Sequence, residues 1–206
     1  MISIDDVGVR HQKEERKNGG VKQRKFVENT VIHIQADSKA YIITAVGMES
    51  AFRLLVAFLL ENKLMEDRHL IFFSDGAQNI KSNIDTYFSY RPYSLILDWF
   101  HLVKRIRELS SMAFKMKKKE KQETIRKILR ILWPGNVDKA IDYINTIPDI
   151  SIKNTYYVEE MVAYLERKMP NITCHAARRS RNLRISSNAS EKATIVQWPN
   201  GKNTMA

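Results

Sequence analysis

The order in which strand-like and helix-like segments follow one another constrains this fold more than any other feature of the sequence. Runs of apolar and β-branched residues, typical of buried or half-buried strands, predict five β-strands. These runs fall at residues 2–9, 29–37, 39–47 and 70–73, with a fifth in 93–101 that ends at Asp98. Apolar residues at helical spacing predict helices at 48–64 and 78–90, between the later strands. Three strands of antiparallel type, followed by alternating helix and strand, predict an α/β protein with a five-stranded mixed sheet.

The character of the chain changes after the fifth strand. Residues 99–168 have helical spacing almost throughout, with breaks at 133–135 and 147–149. Residues 171–196 then carry a basic stretch and a Ser-Ser-Asn cap before a last helix. The expected parts are a core at 1–101, an all-helical insertion at 102–170, and a basic segment with the final helix at 171–206.

Charge and cysteine content narrow the partners and the compartment. The chain has 34 Lys and Arg against 23 Asp and Glu, a net charge of +11. Such an excess favours polyanionic partners, nucleic acid first and acidic membrane surfaces second. The single cysteine, Cys174, fits a reducing compartment. The start lacks the order of a signal peptide, and the longest apolar run, Leu54–Leu60, is far shorter than the roughly 20 residues of a membrane span. We therefore expect a soluble cytoplasmic protein with no membrane partner.

Several carboxylates lie at the end of a predicted strand, within a strand or in the last predicted helix. Asp75 directly follows the fourth strand, in an Asp-Gly pair that is either a plain turn or a ligand held at the mouth of a site. Asp5 and Asp6 lie in the first strand, and Glu191 lies in the last predicted helix. If the first and fourth strands are neighbours, these groups converge, and three carboxylates at one point require a cation. Hard oxygen ligands select two Mg²⁺ ions, for which Mn²⁺ can substitute, and no Cys/His cluster is spaced for zinc.

Four stretches in this order resemble the RNase H-like DDE transposases of bacterial insertion sequences, of the mutator-like type. They are SIDDVGV, FFSDGAQNI, ILDWFHLVKRI and RISSNASEK. The resemblance covers most of residues 1–196 and implies an RNase H-like sheet with an all-helical insertion before the last catalytic helix. It also implies Mg²⁺-dependent DNA strand cleavage and strand transfer.

The resemblance assigns the metal-ligand positions to Asp75 and Glu191, and the first ligand to Asp5 or Asp6. Alternation along the first strand places Asp5 on the face opposite Ile2 and Ile4, which favours Asp5 as the ligand.

A second pair, Asp98 and His101, matches the (Cys/Asp)-x-x-His signature that lies near the active site in the family. The resemblance therefore makes it a candidate for orienting water, phosphate or a metal ligand. The plainer alternative is an aspartate that caps a helix, beside a structural histidine.

Basic residues form three sets. We expect the set that precedes the final helix to position DNA through its phosphates; it comprises Arg178, Arg179, Arg181 and Arg184. Lys104 and Arg105, in the first helix of the helical block, are further DNA-binding candidates. The run at 115–121 is interpreted as a solvated helix face.

The sequence departs from the family pattern at both ends, since no DNA-binding domain precedes the first strand and the segment after Glu191 soon meets Pro199 and Gly201. These departures predict a truncated transposase. Two alternatives stay open: a non-catalytic DNA-binding remnant, and an RNase H-like nuclease that hydrolyses strands without joining them. Transposition also makes a homo-oligomer an expected state.

Overall fold

The computed structural model describes residues 1–10, 26–66 and 68–186, with the side chains of 6–10 and 26–28 outside the description. The chain divides into two units, Met1–Leu97 and Asp98–Ala206, which we call the N-terminal unit and the C-terminal unit. Each is described by itself.

The N-terminal unit contains a five-stranded mixed sheet. Its strands are β1 (Ile2–Arg10), β2 (Phe26–Ala36), β3 (Lys39–Val46), β4 (Leu70–Ser74) and β5 (Tyr93–Leu97). They lie in the order β3-β2-β1-β4-β5. The pairs β1–β2 and β2–β3 are antiparallel, whereas β1–β4 and β4–β5 are parallel. The predicted α/β class and the five-stranded mixed sheet are therefore confirmed.

Strand β2 begins three residues before its predicted start at residue 29, because its antiparallel pairing with β1 continues to Arg10↔Phe26. Its turn into β3 is the predicted one, with Asp37 and Ser38 at φ of 47° and 67°. Positive φ at both central residues is the conformation of a type I′ hairpin turn. Arg68 pairs with the Asp37 carboxylate at 2.8 Å, which lowers the pKa of Asp37.

One face of the sheet packs against two helices, α1 (Met48–Glu61) and α2 (Gln78–Phe88). Alternate residues of the strands supply this core, as a half-buried sheet requires. The core includes Ile2, Ile4, Ile32, Ile34 and Phe72 from the strands, with Phe52, Leu55, Ile84 and Phe88 from the helices.

A polar contact fixes α2 against β5. Asp85 accepts hydrogen bonds from Lys81, at 2.5 Å, and from the Tyr93 hydroxyl. Burial of Tyr93, together with this carboxylate, raises the pKa of the Tyr93 phenol to about 12. The loop that precedes α2, which contains Asp75, is therefore attached to an anchored helix.

The C-terminal unit is helical in its described part, as the spacing over 99–168 predicts. Its helices are α3 (Trp99–Ala113), α4 (Lys118–Leu132), α5 (Val137–Asn145), α6 (Thr155–Lys168) and α7 (His175–Ser180), with short 3-10 turns at Asp149–Ser151 and Met169–Asn171. Gly135 has φ of 89° in the break between α4 and α5. None of the helices in the described ranges has the length and apolarity needed to cross a membrane.

Candidate active site

In the N-terminal unit, Asp5 lies within β1, and Asp75 directly follows β4, the strand next to β1 in the sheet. Strands β1 and β4 are parallel, with Ser3 opposite Phe73. Asp5 lies two residues beyond Ser3, and Asp75 lies two residues beyond Phe73. The β1–β4 pairing ends at Ser3↔Phe73, so both carboxylates lie just beyond the paired segment, with Asp5 still inside β1 and Asp75 in the loop that follows β4.

Asp5 is exposed, whereas its neighbour Ile4 is 2% exposed. Ile2 and Ile4 belong to the core, as the alternation predicts, but Ser3, two residues before Asp5, is buried as well. Asp6, the alternative first ligand, has a side chain outside the described residues.

Asp75 forms a turn that leaves its carboxylate accessible. Its Oδ1 accepts a hydrogen bond from the Ala77 backbone N–H at 2.8 Å, and the Gly76 N–H donates to Ser74 Oγ at 3.1 Å. Gly76 has φ of 88°, which only glycine adopts without strain. The turn interpretation of Ser74-Asp75-Gly76 is thus correct as geometry. The ligand interpretation stays compatible with it, because Asp75 is exposed and Oδ2 makes no hydrogen bond to the described residues.

No cation of the described chain neutralises this pair. Among the residues that the structure covers, the ion pairs leave out both Asp5 and Asp75. Where carboxylates share one site, a bound divalent cation relieves their mutual repulsion.

The third predicted ligand, Glu191, lies outside the described residues. Within the ranges that are described, no group of three His, Cys, Asp or Glu side chains is arranged to hold a metal. The chain leading to Glu191 is anchored in the C-terminal unit, because the Ile185 carbonyl accepts the Trp99 N–H at 3.2 Å. Ile185 and Ser186 are both buried.

Asp98 and His101 form the first turn of α3 in the C-terminal unit. Asp98 is fully buried, and its Oδ1 accepts the backbone N–H of Phe100 at 2.7 Å and of His101 at 3.4 Å. In the structure, Asp98 therefore acts as the N-terminal cap of α3, which is the plainer alternative. The His101 ring is half-buried and makes no hydrogen bond to the described residues. The catalytic assignment of the pair stays a prediction.

The four arginines at 178–184 differ in how far their side chains are exposed. Arg178 is half-buried and donates from Nε to the Arg184 carbonyl at 2.8 Å, and burial lowers the pKa of its guanidinium. The side chains of Arg179, Arg181 and Arg184 are exposed. Three of these four predicted DNA-positioning residues therefore present their charge to solvent.

The two DNA-binding candidates in α3 also differ in whether their charge is paired. Lys104 is exposed and belongs to no ion pair with the described residues. Arg105 is held by Glu160 at 3.5 Å and Glu108 at 3.7 Å, and its guanidinium lies 6.0 Å from the Tyr164 ring centroid. Its charge is largely neutralised within the unit.

A buried histidine that sequence reasoning missed lies in an aromatic cluster of the C-terminal unit. His175 is fully buried, with its ring centroid 5.0 Å from Trp99 and 6.0 Å from Trp133. Both ring nitrogens lack a hydrogen-bond partner in the described part of the chain. Burial lowers the pKa of His175 to about 4; Arg178 adds to this shift and Asp98 opposes it. Because the cluster joins residues distant in sequence, the spacing around His175 gave no signal of it.

Comparison with known proteins adds no relative, because neither the protein-family models nor the curated proteins contain a match to this chain.

Proposed function

We propose that this chain is the catalytic core of an RNase H-like DDE transposase, which cleaves DNA strands and joins them to a target. The observation that carries the proposal is the parallel pairing of β1 with β4, which makes neighbours of the strand that contains Asp5 and the strand that Asp75 directly follows. The resemblance of four ordered sequence stretches supplies the family.

The strand order supports the same core. Three antiparallel strands followed by two parallel ones, in the order β3-β2-β1-β4-β5, make the five-stranded mixed sheet that the resemblance implies. The proposal takes the helices α3 to α6, which lie within residues 99–168, as the all-helical insertion.

The donor set fits magnesium. Asp5 and Asp75 offer hard oxygen atoms, are exposed, and have no cationic partner among the described residues. Two Mg²⁺ ions, when bound there, would activate a water or a DNA 3′-hydroxyl and would stabilise the leaving oxygen of a phosphodiester. Glu191 is the third ligand in this proposal, on the strength of the resemblance alone.

The chain itself orients the ligands. The Ala77 N–H fixes one oxygen of Asp75 and leaves the other for the metal, while pairing of β1 on both sides fixes the level of Asp5. Exposed arginines at 179, 181 and 184 are suited to hold the phosphate backbone.

A non-catalytic DNA-binding remnant is the second candidate, favoured by those same exposed arginines and by a net charge of +11. It requires the basic surface but no metal site. A nuclease of the same fold would use the same carboxylates and differ only in the acceptor of the cleaved strand.

Nicking of labelled DNA, with and without Mg²⁺, tests the proposal. We compare the wild-type chain with Asp75→Asn and Glu191→Gln, and use Glu61→Gln, an exposed carboxylate at the end of α1, as the matched control. We expect both ligand variants to lose at least about a hundredfold in rate, because even indirect disturbance of a metal site costs about 10–100-fold. The control should match wild type.

Equal nicking by wild type and both ligand variants would exclude the catalytic core and leave the DNA-binding remnant. Joining of labelled strands to a target plasmid separates the transposase from the nuclease, since only the transposase uses a 3′-hydroxyl as the attacking group.

A further inference from the structure

The C-terminal unit carries five exposed lysines and an exposed tyrosine on two segments that a β-bridge holds together, a surface that the proposed chemistry does not use. We call this surface the lysine rim. It comprises Lys115, Lys117, Lys118, Lys119, Lys153 and Tyr156. Its lysines come from two segments far apart in the chain, the end of α3 with the start of α4, and the link between α5 and α6.

A buried bridge holds the two segments together. Phe114, which is 1% exposed, pairs with Ile152 in an antiparallel β-bridge. On one side of it, the Lys115 N–H donates to the Ser151 carbonyl at 3.0 Å; on the other, the Lys153 N–H donates to the Ala113 carbonyl at 2.7 Å. Lys115 and Lys153 thus flank one fixed point of the backbone.

The rim keeps a positive charge of its own. All five lysines are exposed, and none forms an ion pair with any residue in the described ranges. The acidic side chains on the same segments are Glu120, Asp149 and Glu159. Arg105 on the same unit, by contrast, pairs with Glu108 and Glu160, whereas Lys104, like the lysines of the rim, belongs to no ion pair with the described residues.

Tyr156 gives the rim an aromatic surface. It lies in the first turn of α6, which Asn154 caps by accepting the Tyr156 N–H at 3.0 Å. The residue is 62% exposed, and its ring meets Tyr157 edge-on at a centroid distance of 5.3 Å. An edge-on contact fixes the ring without covering both of its faces.

Lysines beside an exposed aromatic face match a particular polyanion. Phosphates of any nucleic acid satisfy the lysines, but only unpaired bases offer faces on which a tyrosine can stack. A duplex buries its base faces in its own stack.

We infer that the lysine rim binds single-stranded DNA, with its lysines on the phosphates and Tyr156 stacked on an unpaired base. The choice of DNA, rather than another polyanion, rests on the proposed function. The inference also gives the basic run at 115–121 a binding role in place of its interpretation as a solvated helix face.

Fluorescence anisotropy with a labelled oligothymidylate and a duplex of equal length tests the stacking contact. The full chain carries Asp75→Asn throughout, and EDTA is present, so that no strand is cleaved. We expect Tyr156→Ala to weaken binding of the single strand about tenfold while leaving duplex binding unchanged. Tyr156→Phe, which keeps the ring, should bind like its parent. Tyr90→Ala removes a tyrosine that is 68% exposed in the N-terminal unit and serves as the matched control.

The double variant Lys115→Gln/Lys153→Gln tests the charges. It should weaken binding of both DNA forms and lower the slope of log affinity against log salt by about 1.4–1.8, since each lost phosphate contact removes about 0.7–0.9. Lys39→Gln/Lys63→Gln, two exposed lysines of the N-terminal unit, is the control that should change little.

Single-strand binding by Tyr156→Ala at the parent's affinity would overturn the inference, as would equal losses in the two lysine pairs. These failures are separate from those of the proposed function. If the lysine rim binds single-stranded DNA but the chain never nicks DNA, the inference stands and the proposed function fails. If the chain nicks DNA but Tyr156→Ala does not change single-strand binding, the proposed function stands and the inference fails.

Discussion

Asp75 shows how one side chain can satisfy the local backbone and still be available for chemistry. Its Oδ1 closes a turn with the Ala77 N–H, while Oδ2 and the exposed position leave it open to a ligand. The turn and the ligand roles, which compete as interpretations of the sequence, are compatible in the structure because a carboxylate has two oxygens.

Asp75→Asn should therefore separate folding from chemistry. The asparagine carbonyl oxygen can accept the same Ala77 N–H, so we expect the free energy of unfolding to stay within about 0.5 kcal/mol of wild type. Asp75→Ala loses the turn bond and should cost about 1 kcal/mol. Denaturant titration measures both, and an equal cost for the two variants would contradict this role of the turn.

His175 predicts a pH dependence for the C-terminal unit. Its pKa is about 4 in the folded chain, against about 6.5 unfolded, so the folded state favours the neutral ring. The unfolded chain binds the proton first as pH falls from about 6.5 to 4, and stability should decline by up to about 3 kcal/mol over that window. Above about pH 6.5 the histidine contributes no slope.

His175→Phe tests this account, because phenylalanine keeps an aromatic ring against Trp99 and Trp133 without a titratable group. We expect the stability difference between wild type and variant to change across pH 6.5 to 4 and to be constant above it, measured by denaturant unfolding with tryptophan fluorescence. Parallel curves across the whole range would show that His175 is not the group responsible.

At the scale of elements, helices, strands and tight turns that depend on neighbouring residues in the chain could be predicted from the sequence. The β2–β3 hairpin follows from Asp37-Ser38 between two β-branched runs, and the five strands follow from short apolar segments. The final limits of β2 could not be predicted, since pairing with a distant strand extends it. The cluster around His175 could not be predicted either, because α3, the end of α4 and α7 must first pack.

The hairpin offers a prediction at this scale. Ser38 has φ of 67°, which costs a non-glycine residue about 1 kcal/mol or more. Ser38→Gly should raise the free energy of unfolding by about 0.5 kcal/mol, after its greater loss of chain entropy, and Ser38→Val should lower it by more than 1 kcal/mol. Denaturant titration compares the two, and the opposite order would contradict the positive-φ turn.

At the scale of the whole molecule, the sequence predicts the sheet better than the site. The alternation of strands and helices predicted a five-stranded mixed sheet but not its strand order, and the structure meets the condition that β1 and β4 be neighbours. Glu191 rests on a motif match, since it lies outside the described residues.

The exposed arginines predict a salt-dependent affinity for duplex DNA. Arg179→Gln should weaken binding of unrelated sequences uniformly and lower the log–log salt slope by about 0.9. Arg105→Gln should change that slope less, because Glu160 and Glu108 already compensate Arg105. Binding isotherms at several salt concentrations measure both slopes, and equal changes would contradict the assignment.

Calorimetric titration of Mn²⁺ tests most directly whether Asp5 and Asp75 hold one cation site. The titration compares wild type with Asp5→Asn, Asp75→Asn and the double variant. If the two carboxylates hold one cation site, each single variant should lose most of the affinity, and the double variant should lose little more than either one. Wild-type affinity in both single variants, or losses that simply add, would contradict a cation site shared by Asp5 and Asp75.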